Sequence, residues 1–80
     1  MEAPRQLRSA ASEQEDITIA HRDYEGENVV AIDFGAGVEA TVDILGDTAI
    51  VVAGDRQFEF DVPPEATEIT TNDGILLIKE

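Results

Sequence analysis

From Ile17 onward, apolar and polar residues alternate in short runs separated by turn residues. Such a period of two marks half-buried strands. The first run is Ile17 to Tyr24, with Ile17 and Ile19 on one face, and Glu25-Gly26-Glu27-Asn28 turns the chain. The second is Val29 to Phe34, where Val30, Ile32 and Phe34 share a face before Gly35-Ala36-Gly37 breaks it. The third is the cleanest: Val38, Ala40, Val42 and Ile44 alternate with Glu39, Thr41 and Asp43. Gly46-Asp47 leads into a fourth run, Thr48 to Ala53, and Gly54-Asp55 into a fifth. The fifth run points Phe58, Phe60 and Val62 inward and Gln57, Glu59 and Asp61 outward. Pro63-Pro64 stops the sheet, because neither ring carries a donor for a ladder bond. A short sixth run, Glu68 to Thr71, has Ile69 inward; Asn72-Asp73-Gly74 then turns into the last run, Ile75 to Ile78.

Seven short strands with turns about every ten residues predict an all-β fold, a small antiparallel β-sandwich over residues 17–80. Residues 1–16 lack the pattern. Met1 and Leu7 are their only large apolar residues, and Ala, Ser, Gln and Glu dominate. The expectation is a disordered N-terminal arm. Two runs, the fourth and the last, are apolar on both faces. Either each lies in the middle of a two-layer sandwich, or another molecule covers one of its faces.

Composition narrows the chemistry. The 80 residues hold 18 acids and 5 bases, a net charge of −13, with a single lysine, Lys79. A surface of this sign repels phosphate backbones, so nucleic acid is excluded as a partner. Abundant carboxylates with almost no lysine are the pattern of a chain built for molar salt, where the Debye length shrinks to about 3 Å and like charges stop repelling. No apolar stretch approaches the roughly 20 residues of a membrane span, and the N-terminus has no signal-peptide core, so membrane partners are not expected and a cytoplasmic location is.

There is no cysteine, hence no disulfide, thiolate ligand or thiol nucleophile. One histidine, His21, cannot build a histidine metal cage. Asp33, Asp43 and Asp61 fall on strand faces that read as hydrated, where carboxylates make poor general acids. Gly35-Ala36-Gly37 precedes a strand, not the helix a dinucleotide fingerprint needs. Ser9 and Ser12 have no base nearby in the chain. The expectation is a protein that is not an enzyme, with no catalytic residue, no metal and no cofactor.

The order of features resembles the alpha-crystallin domain of the small heat-shock protein family, from Ile17 to Lys79. Val30-Ala31-Ile32-Asp33-Phe34-Gly35 resembles that family's short aspartate-containing strand. Val42 to Gly54 is similar to its alternating strand and following aliphatic strand. Phe58-Glu59-Phe60-Asp61-Val62-Pro63-Pro64 resembles its aromatic strand running into proline. Asn72-Asp73-Gly74-Ile75-Leu76 resembles its signature, which places Asp73, Gly74 and Leu76 as signature residues. The likeness is to a minimal member. Gly54-Asp55 stands where strand-exchanging members carry a long dimerisation loop, and no aliphatic-x-aliphatic anchor follows Lys79.

The resemblance implies a partner-binding groove between the third run and the strand near Ile69, with Val42, Ile44 and Ile69 at the matching positions. It implies a non-enzymatic, ATP-independent chaperone or co-chaperone-like module that binds exposed apolar segments of unfolded client proteins. The competing expectation is a structural or adaptor sandwich that self-associates weakly or binds one specific partner without chaperoning clients.

Overall fold

A computed structural model describes residues 2–80, the Tyr24 side chain excepted. The elements run α1 (Arg5–Glu13), β1 (Thr18–Tyr24), β2 (Glu27–Asp33), β3 (Ala40–Leu45), β4 (Thr48–Ala53), β5 (Arg56–Asp61), β6 (Glu68–Asn72) and β7 (Ile75–Lys79). The strands form two antiparallel sheets, one of four in the order β1-β2-β7-β6 and one of three in the order β3-β4-β5. This is the small all-β sandwich that the alternation demands. Four tight hairpins join neighbours within a sheet, and two longer connections, 34–39 and 62–67, carry the chain between sheets.

The inward faces interlock. Val30, Ile32 and Phe34 from the second run and Leu76 and Ile78 from β7 meet Ala49, Val51 and Ala53 from β4 and Phe60 from β5, all essentially buried. Phe34 and Phe58 stack with ring centroids 5.7 Å apart, tying the two layers. At stacking distance such a pair adds to the area term already gained by burial. Both doubly apolar runs are interior strands, β4 central in its sheet and β7 between β2 and β6.

The expected disordered arm is corrected by the structure. Residues 5–13 form a helix, and Ala3, Leu7 and Ala10 join the core, Leu7 with no exposed surface. The helix packs against β5 and β1, closing one lateral side of the sandwich. It has no side-chain cap, no acid in its first turn and no base in its last. Its residues are mostly good helix formers, but nine uncapped residues are too few to hold a helix alone, so tertiary docking holds it. Met1 lies outside the described residues.

Arg56, at the start of β5, fixes that closure. Its guanidinium donates to the Phe34 carbonyl oxygen at 2.8 Å and to Gln14 Oε1 at 2.6 Å, and pairs with the Asp16 carboxylate at 3.1 Å. One side chain thus joins the three-stranded sheet, the end of β2 and the α1–β1 connection.

Candidate functional site

No titratable side chain among the described residues is buried, and no group of three or more His, Cys, Asp or Glu is arranged to hold a metal ion. What the fold does present is apolar surface in three places. Each follows from which strand edges and faces lack a covering layer.

The first place is the lateral side opposite α1, where β3 and β6 are the edge strands of the two sheets and approach each other. The three groove positions fall here, but not alike. Val42 pairs with Val51 and Ile69 with Ile78, and both are half-buried against the core. Ile44 continues the inward face of β3 past the end of the packed core and is 45% exposed. Leu45, which sequence reasoning passed over, is 60% exposed and ends the strand. The signal was present: Ile44-Leu45 breaks the alternation just before the Gly46-Asp47 turn. Two consecutive apolar residues in a strand must send one side chain to each face. At the other end of β3, a depression of about 320 Å³ is lined by polar and acidic residues, among them Glu39, Thr41, Asn72 and Asp73. The open side is therefore apolar at one end and acidic at the other.

The second place is the outer face of the four-stranded sheet. Strand register sets its rows. One reads Arg22–Val29–Lys79–Glu68 across β1-β2-β7-β6, the next Ala20–Ala31–Leu77–Thr70, the third Thr18–Asp33–Ile75–Asn72. Ala20 and Ala31 are too small to fill the surface beside Leu77, which leaves a depression of about 310 Å³ floored by Val29, Ala31, Ile75 and Leu77. Lys79 reaches Glu68 at 3.3 Å across one end.

The third is the outer face of the three-stranded sheet. Ile50 and Val52 occupy its centre, flanked by Asp43 and Glu59 in one row and by Thr41 and Gln57 in the next. Asp61 lies in a further row. No cation shares these rows.

The signature positions have structural duties. Asp73 and Gly74 both take positive φ, 49° and 78°, as the two central residues of a tight hairpin turn require. Gly74 is also buried, and a Cβ there would collide with the Val38 carbonyl oxygen. Its own carbonyl accepts from the Phe34 N–H. Leu76 is a fully buried core residue. A sandwich with this hairpin needs those residue types whatever its ancestry.

A family model described as a family of unknown function, DUF7127, matches residues 1–80. The chain belongs to DUF7127. No curated protein and no solved structure matches it. The match overturns the expected membership of the small heat-shock family. The features that suggested it are those any seven-stranded sandwich of this size uses: alternation, a glycine turn before a buried leucine, prolines where the chain leaves a sheet. In this DUF7127 chain the matched span takes in the helix together with the strands. Among its described residues no helix is long and apolar enough to cross a membrane.

Proposed function

We propose that this DUF7127 chain is a non-enzymatic binding module that takes extended apolar segments of other proteins along its open β3 edge, as an ATP-independent holdase does. The observation that carries the reading is the end of β3. An edge strand there presents its unpaired backbone side, and its last two residues, Ile44 and Leu45, are the most exposed large hydrophobic residues among those described. Edge backbone supplies sequence-independent hydrogen bonds to an added strand, and flanking apolar side chains supply pockets for alternate residues. An exposed edge of this kind otherwise invites uncontrolled pairing. The acidic remainder of the surface, −13 in total, limits that through carboxylates that stay strongly hydrated, which keeps complexes dispersed even where salt screens their charge.

The test is light scattering from a heat-stressed client protein in about 2 M KCl, where the surface charges are screened. Suppression at near-equimolar ratio is expected, and it should be lost in an Ile44→Asp, Leu45→Asp double variant. Leu45 is 60% and Ile44 45% exposed, and both sit beyond the packed core, so the variant should keep its fold, checked by circular dichroism. Ile69→Asp would not serve, because Ile69 packs against the core. No suppression at several-fold excess would eliminate the holdase reading and leave a structural or adaptor sandwich that self-associates or binds one specific partner.

A further inference from the structure

We infer that the outer face of the four-stranded sheet is a weak two-fold interface with a second copy of this chain. Three observations lead there. The first is charge. This face carries Arg22 and Lys79 against Glu27, Glu68 and Asp33, close to balance. The outer face of the other sheet carries Asp43, Glu59 and Asp61 with no cation in its rows. Molar salt screens the long-range repulsion between copies, but carboxylates pressed together at contact, within the Debye length of about 3 Å, still oppose one another, so a copy bearing −13 meets least opposition at the balanced face.

The second observation is self-complementarity. A two-fold axis lying in the interface, parallel to the strands and between β2 and β7, lays β1 over the partner's β6 and β2 over the partner's β7. Such an isologous contact must match a surface to itself. The central row and the ends of the first meet that demand. Arg22 comes opposite the partner's Glu68, with opposite charges at the two ends of one row. In the next, central row Ala31 comes opposite the partner's Leu77, and Ala20 opposite the partner's Thr70; at the two ends of the strands Val29 comes opposite the partner's Lys79 and Asp33 opposite the partner's Ile75, rim positions from which the charged ends reach water. A small residue across from a large one lets the two faces interdigitate at the roughly 10 Å spacing of packed sheets.

The third is the interior position of β7. A strand apolar on both faces, with Leu76 and Ile78 in the core, gives Ile75 and Leu77 no covering layer within the chain. The footprint also sets the strength. Four strands about 4.8 Å apart and about 20 Å long offer roughly 400 Å² a side, half of a standard stable interface, so the association belongs to the transient class.

The experiment is sedimentation over a concentration series in about 2 M KCl, with the whole chain. A monomer–dimer equilibrium with Kd on the order of 100 μM is expected. Leu77→Asp, at the centre of the face, should weaken it at least tenfold. Because the chain has no cysteine, introduced ones report geometry cleanly. A mixture of Ala20→Cys and Thr70→Cys chains should cross-link through a short bismaleimide, and neither variant should do so alone. A monomer at millimolar concentration overturns the inference. So does a dimer that Leu77→Asp leaves intact, or one in which each single-cysteine variant cross-links to itself. The Ile44→Asp, Leu45→Asp variant should dimerise normally, so this interface and the β3 edge stand or fall separately.

Discussion

The two lateral sides of the sandwich meet the same physical problem and treat it differently. Both expose the gap between two sheet edges. On the β1–β5 side, α1 lies across the gap and seals it with Leu7 and Ala10, and Arg56 ties the seal to both sheets. On the β3–β6 side nothing among the described residues lies across it, and Ile44 and Leu45 remain in water. A chain of this size has little core to spare. The closed side shows that it can cover an edge with nine residues of short, uncapped helix. The open side, left uncovered by the same chain, is where a binding surface is expected.

The sharpest way to break the contrast is at Leu7. It is fully buried, so Leu7→Ala removes a large apolar contact and leaves a cavity where the helix meets the core. The expected cost is about 3 kcal/mol. A loss of that size shifts the midpoint of thermal unfolding by more than ten degrees in a domain of this length. Calorimetry in about 2 M KCl checks it. A change of only a degree or two would mean that the helix is a loose appendage and that the two sides are equally open.

Most of the sheet fold was legible because alternation and turn chemistry are local. Each run states its own inward face, and Gly46, Gly54 and Gly74 mark where the chain reverses. The helix was not legible for an equally physical reason. Its buried residues are Leu7 and Ala10, with Ala3 just before it, and alanine carries little hydrophobic signal. Its stability comes from what it docks on, which a local pattern does not display. The candidate site divides the same way. Ile44 was found from its place in the third run, whereas Leu45 needed the broken alternation to be taken as a statement about exposure. The rows of the outer sheet face depend on β7 lying between β2 and β6, and that order is invisible along the chain.

A smaller effect is expected at Arg56. Arg56→Ala leaves the Phe34 carbonyl, Gln14 and Asp16 without a shared donor. Hydrogen bonds from a charged, partly buried group are worth about 2 kcal/mol, so the loss should be roughly two thirds of that at Leu7. Arg56→Lys keeps the charge but not the planar fork that reaches three acceptors, and should fall between wild type and Arg56→Ala. Chemical denaturation separates the three proteins. If Lys matched Arg, the closure would depend on charge opposite Asp16 and not on the bridge to β2.

The smallest effect should be at Ile44, and its smallness is informative. The side chain is 45% exposed, so it recovers only about half the burial energy of a core isoleucine. Ile44→Ala should therefore cost about 1 kcal/mol or less. A residue of this kind contributes little to holding the sandwich together, and an exposed isoleucine on an edge strand carries a standing risk of aggregation. The same denaturation series measures the cost. A value near that of Leu7→Ala would show that Ile44 belongs to the core after all, and the open side would then have no apolar end to offer a partner. A value near 1 kcal/mol or below leaves binding as the property for which Ile44 and Leu45 are suited at that edge.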